Sequence, residues 1–361
     1  MIRVLAEPHR HVSSSDEGPV PADTRRYGAL INATRSACYP ARPGSTAVDM
    51  IYQALILCPN MQKLRSMVFG VFLALTTLLP AVPALAAAPA GTNLQLLSWN
   101  ICGSQRASWG CSGFGTWANK LAVIHQQVQD NYVQAMLLQE ICEDDLASLM
   151  TTLGSGWTRS FAPYQWASRG VLTDNRCGED NSSRPDRIGT AIVIKAGSSN
   201  AERIATTQPW DGQQRPFHCA TATYFNNIRL CNVHLSPRGS DTRDATWEYS
   251  DDQLGDIKNV VDDYSNIAFG GDFNLLPPDH VYPIGDENNP DRGWIWDAKG
   301  GNPYPQYREC DQTNPAGGGR STSIYGSKID YVFSSRPWRW CAVTTTAFSD
   351  HYPLVYSMKI A

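Results

Sequence analysis

Side chains able to do ligand or acid–base chemistry recur at the ends of apolar stretches in this 361-residue chain. Asn100 closes LQLLSWN, Glu140 closes AMLLQE, and His234 lies near the end of IRLCNVHL. Asp272 and Asn274 follow the run IAFGG, Asp330 sits inside KIDYVF, and Asp350-His351 precede the apolar residues 354–360. A carboxylate in an apolar strand is unfavourable unless it is paired or bound to a metal. Carboxylate and amide oxygens are also the ligands of a hard cation such as Mg²⁺, which takes one or two from protein and fills the rest with water and phosphate.

Short elements must carry these groups to one place. Residues 94–100, 135–140 and 188–195 read as buried strands. Trp117, Leu121, Ile124 and Val128 fall on one face of an amphipathic helix. Phe217–Tyr224 and Ile228–Leu235 flank Asn226-Asn227, a hairpin turn. Asp241–Tyr264 reads as a helix with an acidic, solvated face. Strands are expected at 267–269, 329–333 and 354–360, and 277–319 reads as a long Pro/Gly/Asn-rich loop. Mixed strands and helices with a hairpin predict a layered α/β (α+β) fold.

Six motifs now stand in order: Ser98-Trp99-Asn100, Leu138-Gln139-Glu140, Asn232-Val233-His234, Gly271-Asp272-Phe273-Asn274, Lys328-Ile329-Asp330-Tyr331 and Ser349-Asp350-His351-Tyr352-Pro353-Leu354. The series resembles the successive motifs of the endonuclease/exonuclease/phosphatase superfamily and covers about residues 94–361. The resemblance implies a four-layered αββα sandwich of the deoxyribonuclease I type and a metal-dependent phosphoric ester hydrolase. It implies that Glu140 is the principal ligand of Mg²⁺ or Mn²⁺, with Ca²⁺ a further candidate, and that Asn100 and Asp350 lie by the metal or the phosphate. Asp272, oriented by Asn274, would activate water, and Asp330 would hold His351 toward a phosphate oxygen.

Phosphodiester cleavage asks for such a set: an aligned nucleophile, stabilised non-bridging oxygens, and a protonated or metal-bound leaving oxygen. Within the superfamily, His234-Leu235-Ser236-Pro237 is similar to the deoxyribonuclease I motif whose histidine is a general acid, kept partly protonated by a neighbouring carboxylate. Asp186 is the one acidic partner the sequence offers for it. Arg215-Pro216-Phe217 resembles that family's phosphate-contacting arginine, and a guanidinium fork suits a phosphate.

Charge narrows the substrate. Residues 87–361 carry 22 Lys and Arg against 29 Asp and Glu, so binding by wholesale phosphate neutralisation is excluded and polyanion contact must be local. Nucleic acid is the expected substrate. A phospholipid, as for a sphingomyelinase-like enzyme, or a small phosphomonoester is the alternative, with Trp294-Ile295-Trp296 as an exposed lipid or base contact or as buried packing. A non-catalytic binding module is disfavoured because every motif residue is intact. Nothing marks an obligate protein partner.

Eight cysteines follow residue 90, without metal-ligand spacing, and read as disulfides in an oxidising compartment. The short loop between Cys102 and Cys111 suggests one pair. Lys63 and Arg65, an apolar run from Met67 and Ala84-Leu85-Ala86 have the layout of a secretory signal peptide over 61–86. A membrane anchor is the alternative. Residues 1–60 are expected to be a mis-assigned or unstructured extension, 87–361 the folded domain, and the product secreted. Gly317-Gly318-Gly319-Arg320 reads as a loop, His125 and His218 as packing or surface residues, and Trp338, Arg339 and Trp340 as either base-stacking or core and rim.

Overall fold

A computed structural model describes residues 92–179, 184–237, 239–247, 249–276, 307–311 and 319–360. All lie in the compact unit Ala84–Ala361. Residues 1–60, the expected leader over 61–86, and Trp294–Trp296 lie outside the described residues. In chain order the strands are β1 (Asn93–Asn100), β2 (Ala135–Cys142), β3 (Trp157–Pro163), β4 (Gln165–Ser168), β5 (Val171–Asp174), β6 (Ile188–Lys195), β7 (Ser198–Ile204) and β8 (Gly212–Gln214). They continue as β9 (Phe217–Ala222), β10 (Ile228–His234), β11 (Ile267–Asp272), β12 (Arg308–Glu309), β13 (Asp330–Ser334), β14 (Trp338–Val343) and β15 (Leu354–Lys359). The helices are α1 (Trp117–Asp130), α2 (Glu143–Leu153) and α3 (Tyr249–Val261).

One sheet runs β14-β15-β1-β2-β6-β3, a second β12-β13-β11-β10-β9-β7, and a small third β5-β4-β8. Period-two alternation sorts each strand between two cores. Leu94 and Leu96, Ala135 and Leu137, Ile228 and Leu230, Ala268 and Val332 meet between the two large sheets. The alternate residues Leu97, Trp99, Met136 and Leu138 join Val123, Ile124, Leu146 and Leu149 of α1 and α2. On the far side Cys231, Val233, Phe269 and Phe333 pack with Leu254, Ile257 and Val261 of α3. The result is the αββα order of layers that the motif series implied.

Local chemistry explains the boundaries. Glu143, Asp144 and Asp145 fill the first turn of α2, complementing its dipole and starting it directly after β2. Asn226 and Asn227 both take positive φ (56° and 53°), as the β9–β10 hairpin turn requires. The expected helix over 241–264 begins only at Tyr249. The Asp241 carboxylate instead ties a turn, accepting from the Trp210 and Arg243 amides and the Tyr249 hydroxyl at 3.0, 2.9 and 2.8 Å. All eight cysteines pair: Cys102–Cys111, Cys142–Cys177, Cys219–Cys231 and Cys310–Cys341. His218 is buried against Ser160 Oγ at 2.9 Å. Residues 338–343, including Trp338, Arg339 and Trp340, form edge strand β14.

Candidate active site

The inter-sheet rows turn polar at one rim. Leu94, Leu96, Ser98 and Asn100 share a face of β1; Ile228, Leu230, Asn232 and His234 share one of β10; Ala268, Gly270 and Asp272 share one of β11. Parallel pairing sets His234 beside Asp272, and antiparallel pairing sets Asp330 beside Asp272. Buried amides join the sheets just below: Gln139 Nε2 donates to Asn232 Oδ1 at 2.7 Å, and Asn232 Nδ2 to the Leu138 and Ala191 carbonyls at 2.9 and 2.8 Å. Within the second sheet, β10 and β11 pair closely here because Gly271 has no side chain. A Cβ on it would stand 1.8 Å from the Val233 carbonyl oxygen, at a φ of +147°.

Asp272 is the meeting point. Its Oδ2 accepts from Asn100 Nδ2 at 3.1 Å and faces His234 Nε2 at 3.4 Å and His351 Nε2 at 3.6 Å. Its Oδ1 accepts from the backbone amide of Asn274 at 2.9 Å. The Asn274 side chain itself donates to the Leu235 carbonyl at 2.9 Å, so it reaches Asp272 through its main chain. Asn100 Oδ1 meanwhile accepts the Cys102 amide at 3.0 Å.

Buried Asp330 holds His351 Nδ1 at 2.9 Å. Burial alone would lower this histidine, but the Asp330 and Asp272 carboxylates outweigh it and hold the imidazole well above its ordinary value. Asp350 and His351 are locked by Ser349, whose Oγ donates to the Asn100 carbonyl at 2.8 Å and accepts the His351 amide at 3.1 Å. Lys120, in the first turn of α1 and outside the motifs read in the sequence, donates to the carbonyls of Ile101, Cys102 and Phe348 at 2.7, 3.0 and 2.7 Å. It pins two rim loops together, and burial brings it down to about 8.

His234 differs from expectation. Asp186 does not reach it; that carboxylate is held by Arg184 at 3.0 Å and by the Asp144 amide at 3.1 Å. The partner at Nδ1 is the hydroxyl of Tyr164, 2.6 Å away, which also accepts the Glu140 amide at 3.1 Å. Burial first, then Arg215 and His351, push His234 well below its ordinary value, so it is neutral rather than partly protonated. Arg215 is braced against the Leu235 carbonyl at 2.7 Å.

Glu140 is aimed by a bulge. Strand parity would send it toward the helices, but the β2–β6 register skips between Leu138 and Ile141 and Glu140 takes a φ of +54°. Among the described residues no cation lies within ion-pair distance of its carboxylate, and the Cys111 Sγ at 3.6 Å from Oε2 is in a disulfide and has no proton to donate. Burial therefore raises it to about 7, with Arg215 and His351 only partly opposing. A carboxylate so placed, with Asp350 and the Asn100 amide nearby and all donors oxygen, fits a hard divalent cation. Asp272, Asp330 and His351 also group closely enough to hold an ion, but they already satisfy one another.

The motif geometry coincides with a family match over residues 97–351, to the endonuclease/exonuclease/phosphatase family. The chain belongs to that family. It is accordingly a phosphoric ester hydrolase, of a family whose enzymes generally use divalent metals. No curated protein matches it in sequence. Similar solved structures include the human Nocturnin catalytic domain with bound sulfate anion, at 16% identity over 74% of this chain and 95% of that one, TM-score 0.48. A 3'-5' exonuclease (NExo) from Neisseria meningitidis matches at 15% identity over 74% of this chain and 100% of that one, TM-score 0.49. Truncated TDP2 from Caenorhabditis elegans matches at 16% identity over 75% and 99%, TM-score 0.47.

Proposed function

We propose that this hydrolase cleaves phosphodiester bonds of nucleic acid outside the cell, using Mg²⁺ or Mn²⁺ held by Glu140 with Asp350 and Asn100. The observation that carries the reading is the convergence of Asn100, His234 and His351 on one oxygen of Asp272. That oxygen is a proton acceptor fixed from three sides, as activation of a water demands. When bound, the cation neutralises charge on phosphate oxygens and favours departure of the leaving oxygen.

The remaining work belongs to the chain. Asp272 orients the water and takes its proton, while its other oxygen stays fixed by the Asn274 amide. Charged His351 and Arg215 donate to non-bridging oxygens, where negative charge grows. His234, neutral and with Nδ1 occupied by Tyr164, offers Nε2–H as a hydrogen-bond donor to the phosphate or the leaving oxygen. Export is supported by the leader-like residues 61–86 and by the four disulfides, which suit an oxidising compartment.

The test is cleavage of oligonucleotides and of bis(nitrophenyl) phosphate by the exported protein, with and without chelator. Activity on both is expected to vanish on chelation and return with Mg²⁺ or Mn²⁺. Full turnover after exhaustive chelation rules the reading out. Turnover of a sphingolipid in preference to oligonucleotide assigns the site to lipid.

A further inference from the structure

Exposed aromatic side chains flank the catalytic rim on two sides. The order β13-β11-β10 places Asp330 with His351 on one side of Asp272 and His234 with Tyr164 on the other. Beyond Tyr164 the chain runs straight into β4, and beyond β8 it runs straight into Arg215, so the small β5-β4-β8 sheet grows out of the His234 side. This sheet and its loops carry Trp166, 41% exposed, and Trp210, 54% exposed. On the His351 side, the turn at 321–327 is tied to the site through Ser323 paired with His351 and the Ile324 amide on the Asp350 carbonyl at 2.9 Å. That turn presents Tyr325, 75% exposed.

Taking the phosphodiesterase reading as its basis, we infer that these rings stack the unpaired bases of a single-stranded nucleic acid on both sides of the scissile phosphate. Aromatic faces accept bases of any identity, but only when those bases are unstacked from a partner strand. Stacking also needs no basic surface, and this domain has an acidic excess, with 29 Asp and Glu against 22 Lys and Arg over 87–361. A duplex bound through its phosphates would need the reverse.

The setting of Trp210 favours a base over an acyl chain. The Arg243 guanidinium, half exposed and paired with Asp241 at 3.3 Å, lies 5.1 Å over the Trp210 ring, so the exposed ring is backed by a cation–carboxylate pair and not by apolar packing. Trp166 is paired across the sheet with polar Thr173 and Gln213, while Val171 and Leu172 of β5 are exposed beside it, so vesicle sedimentation is the measurement that separates a base from an acyl chain at this ring. Two aromatic flanks separated by the catalytic rim suit a polymer that continues in both directions from the cleaved bond. A lipid continues in one.

The test is a tryptophan-fluorescence titration of the full chain with oligo(dT) and oligo(U), in chelator so that no turnover occurs. The parent is compared with Trp166→Ala, Trp210→Ala and Tyr325→Ala, and circular dichroism checks their folding. Each substitution is expected to weaken binding by about ten-fold, with the salt dependence of Kd unchanged. Turnover of bis(nitrophenyl) phosphate, which has no bases to stack on the flanks, is expected to stay at the parent level. Unchanged oligonucleotide binding in all three variants, or tighter binding of duplex than of single strand by the parent, overturns the inference. So does loss of sedimentation with phosphatidylcholine–sphingomyelin vesicles while oligonucleotide binding persists. A parent that binds oligonucleotide but turns over no phosphodiester sinks the hydrolase reading and leaves the stacking surface standing.

Discussion

Two buried histidines approach the same carboxylate oxygen and end in opposite charge states. His351 Nε2 lies 3.6 Å and His234 Nε2 3.4 Å from Asp272 Oδ2. What differs is the atom behind each ring. A carboxylate, Asp330, holds His351 Nδ1 at 2.9 Å, whereas a phenol, Tyr164, holds His234 Nδ1 at 2.6 Å. Burial disfavours the charged form of both, and only the carboxylate repays it. One site thus contains a fixed cation and a neutral donor built from the same side chain, and the division of labour is set one residue behind the reacting atoms.

Removing the oxygen both rings share has the largest effect. Asp272→Asn is nearly isosteric, so circular dichroism should match the parent. General-base loss is worth roughly 10²–10⁴-fold, and kcat is expected to fall to the severe end on both oligonucleotide and bis(nitrophenyl) phosphate. Near-normal turnover would remove the acid–base mechanism altogether.

Converting one histidine's environment into the other's comes next. Asp330→Asn takes the charge from behind His351, whose pKa should drop because burial is then less fully opposed. The charged imidazole then survives only at lower pH. Activity should fall as pH rises through that lowered value, by about ten-fold per unit, and recover on acidification. A pH–rate profile of kcat/KM superimposable on the parent's would show that His351 needs no charge.

The contrast also explains what could be read from the sequence. Asn100, His234, Asp272 and Asp330 were legible because each is a polar residue continuing an apolar inward row of alternating period. Glu140 was legible as an acid, but its aim depends on a bulge and a positive φ that no spacing announces. Tyr164 was not legible, since a tyrosine in FAPYQW looks like any core aromatic. Asp186 looked suitable by position alone, but Arg184, two residues away, captures it. The Trp166 and Trp210 surface was hidden for a related reason: a tryptophan, in strand β4 or in the loop before β8, reads the same in sequence whether it is exposed or buried.

Tyr164→Phe probes the phenol. It deletes the hydrogen bond to His234 Nδ1 and the acceptor for the Glu140 amide. A net hydrogen bond is worth about 1 kcal/mol, so kcat should drop by about five-fold. Because His234 acts as a neutral donor, the loss should be equal on oligonucleotide and on the nitrophenyl diester with its good leaving group. A defect that shrinks on the nitrophenyl substrate would restore a general acid to this position.

A third buried histidine serves as the control. His218 has no carboxylate behind it, and burial, aided by Arg229 and Arg203, brings it down to about 4 from 6.5. Between those values the unfolded chain binds a proton that the folded chain does not. Stability therefore rises with pH across this window and is lost as pH falls from 6.5 toward 4. One such group contributes at most about 1.4 kcal/mol per pH unit. Urea unfolding at pH 7.5 and pH 5 should show the parent losing stability on acidification and His218→Gln losing less. Turnover at pH 7.5 should be unchanged, because His218 bonds Ser160 and touches none of the rim groups. If His218→Gln keeps the parent's full acid sensitivity, the neutral burial of this ring is refuted. The same test would then have to be put to His234, whose neutrality rests on the same balance of burial against a missing carboxylate.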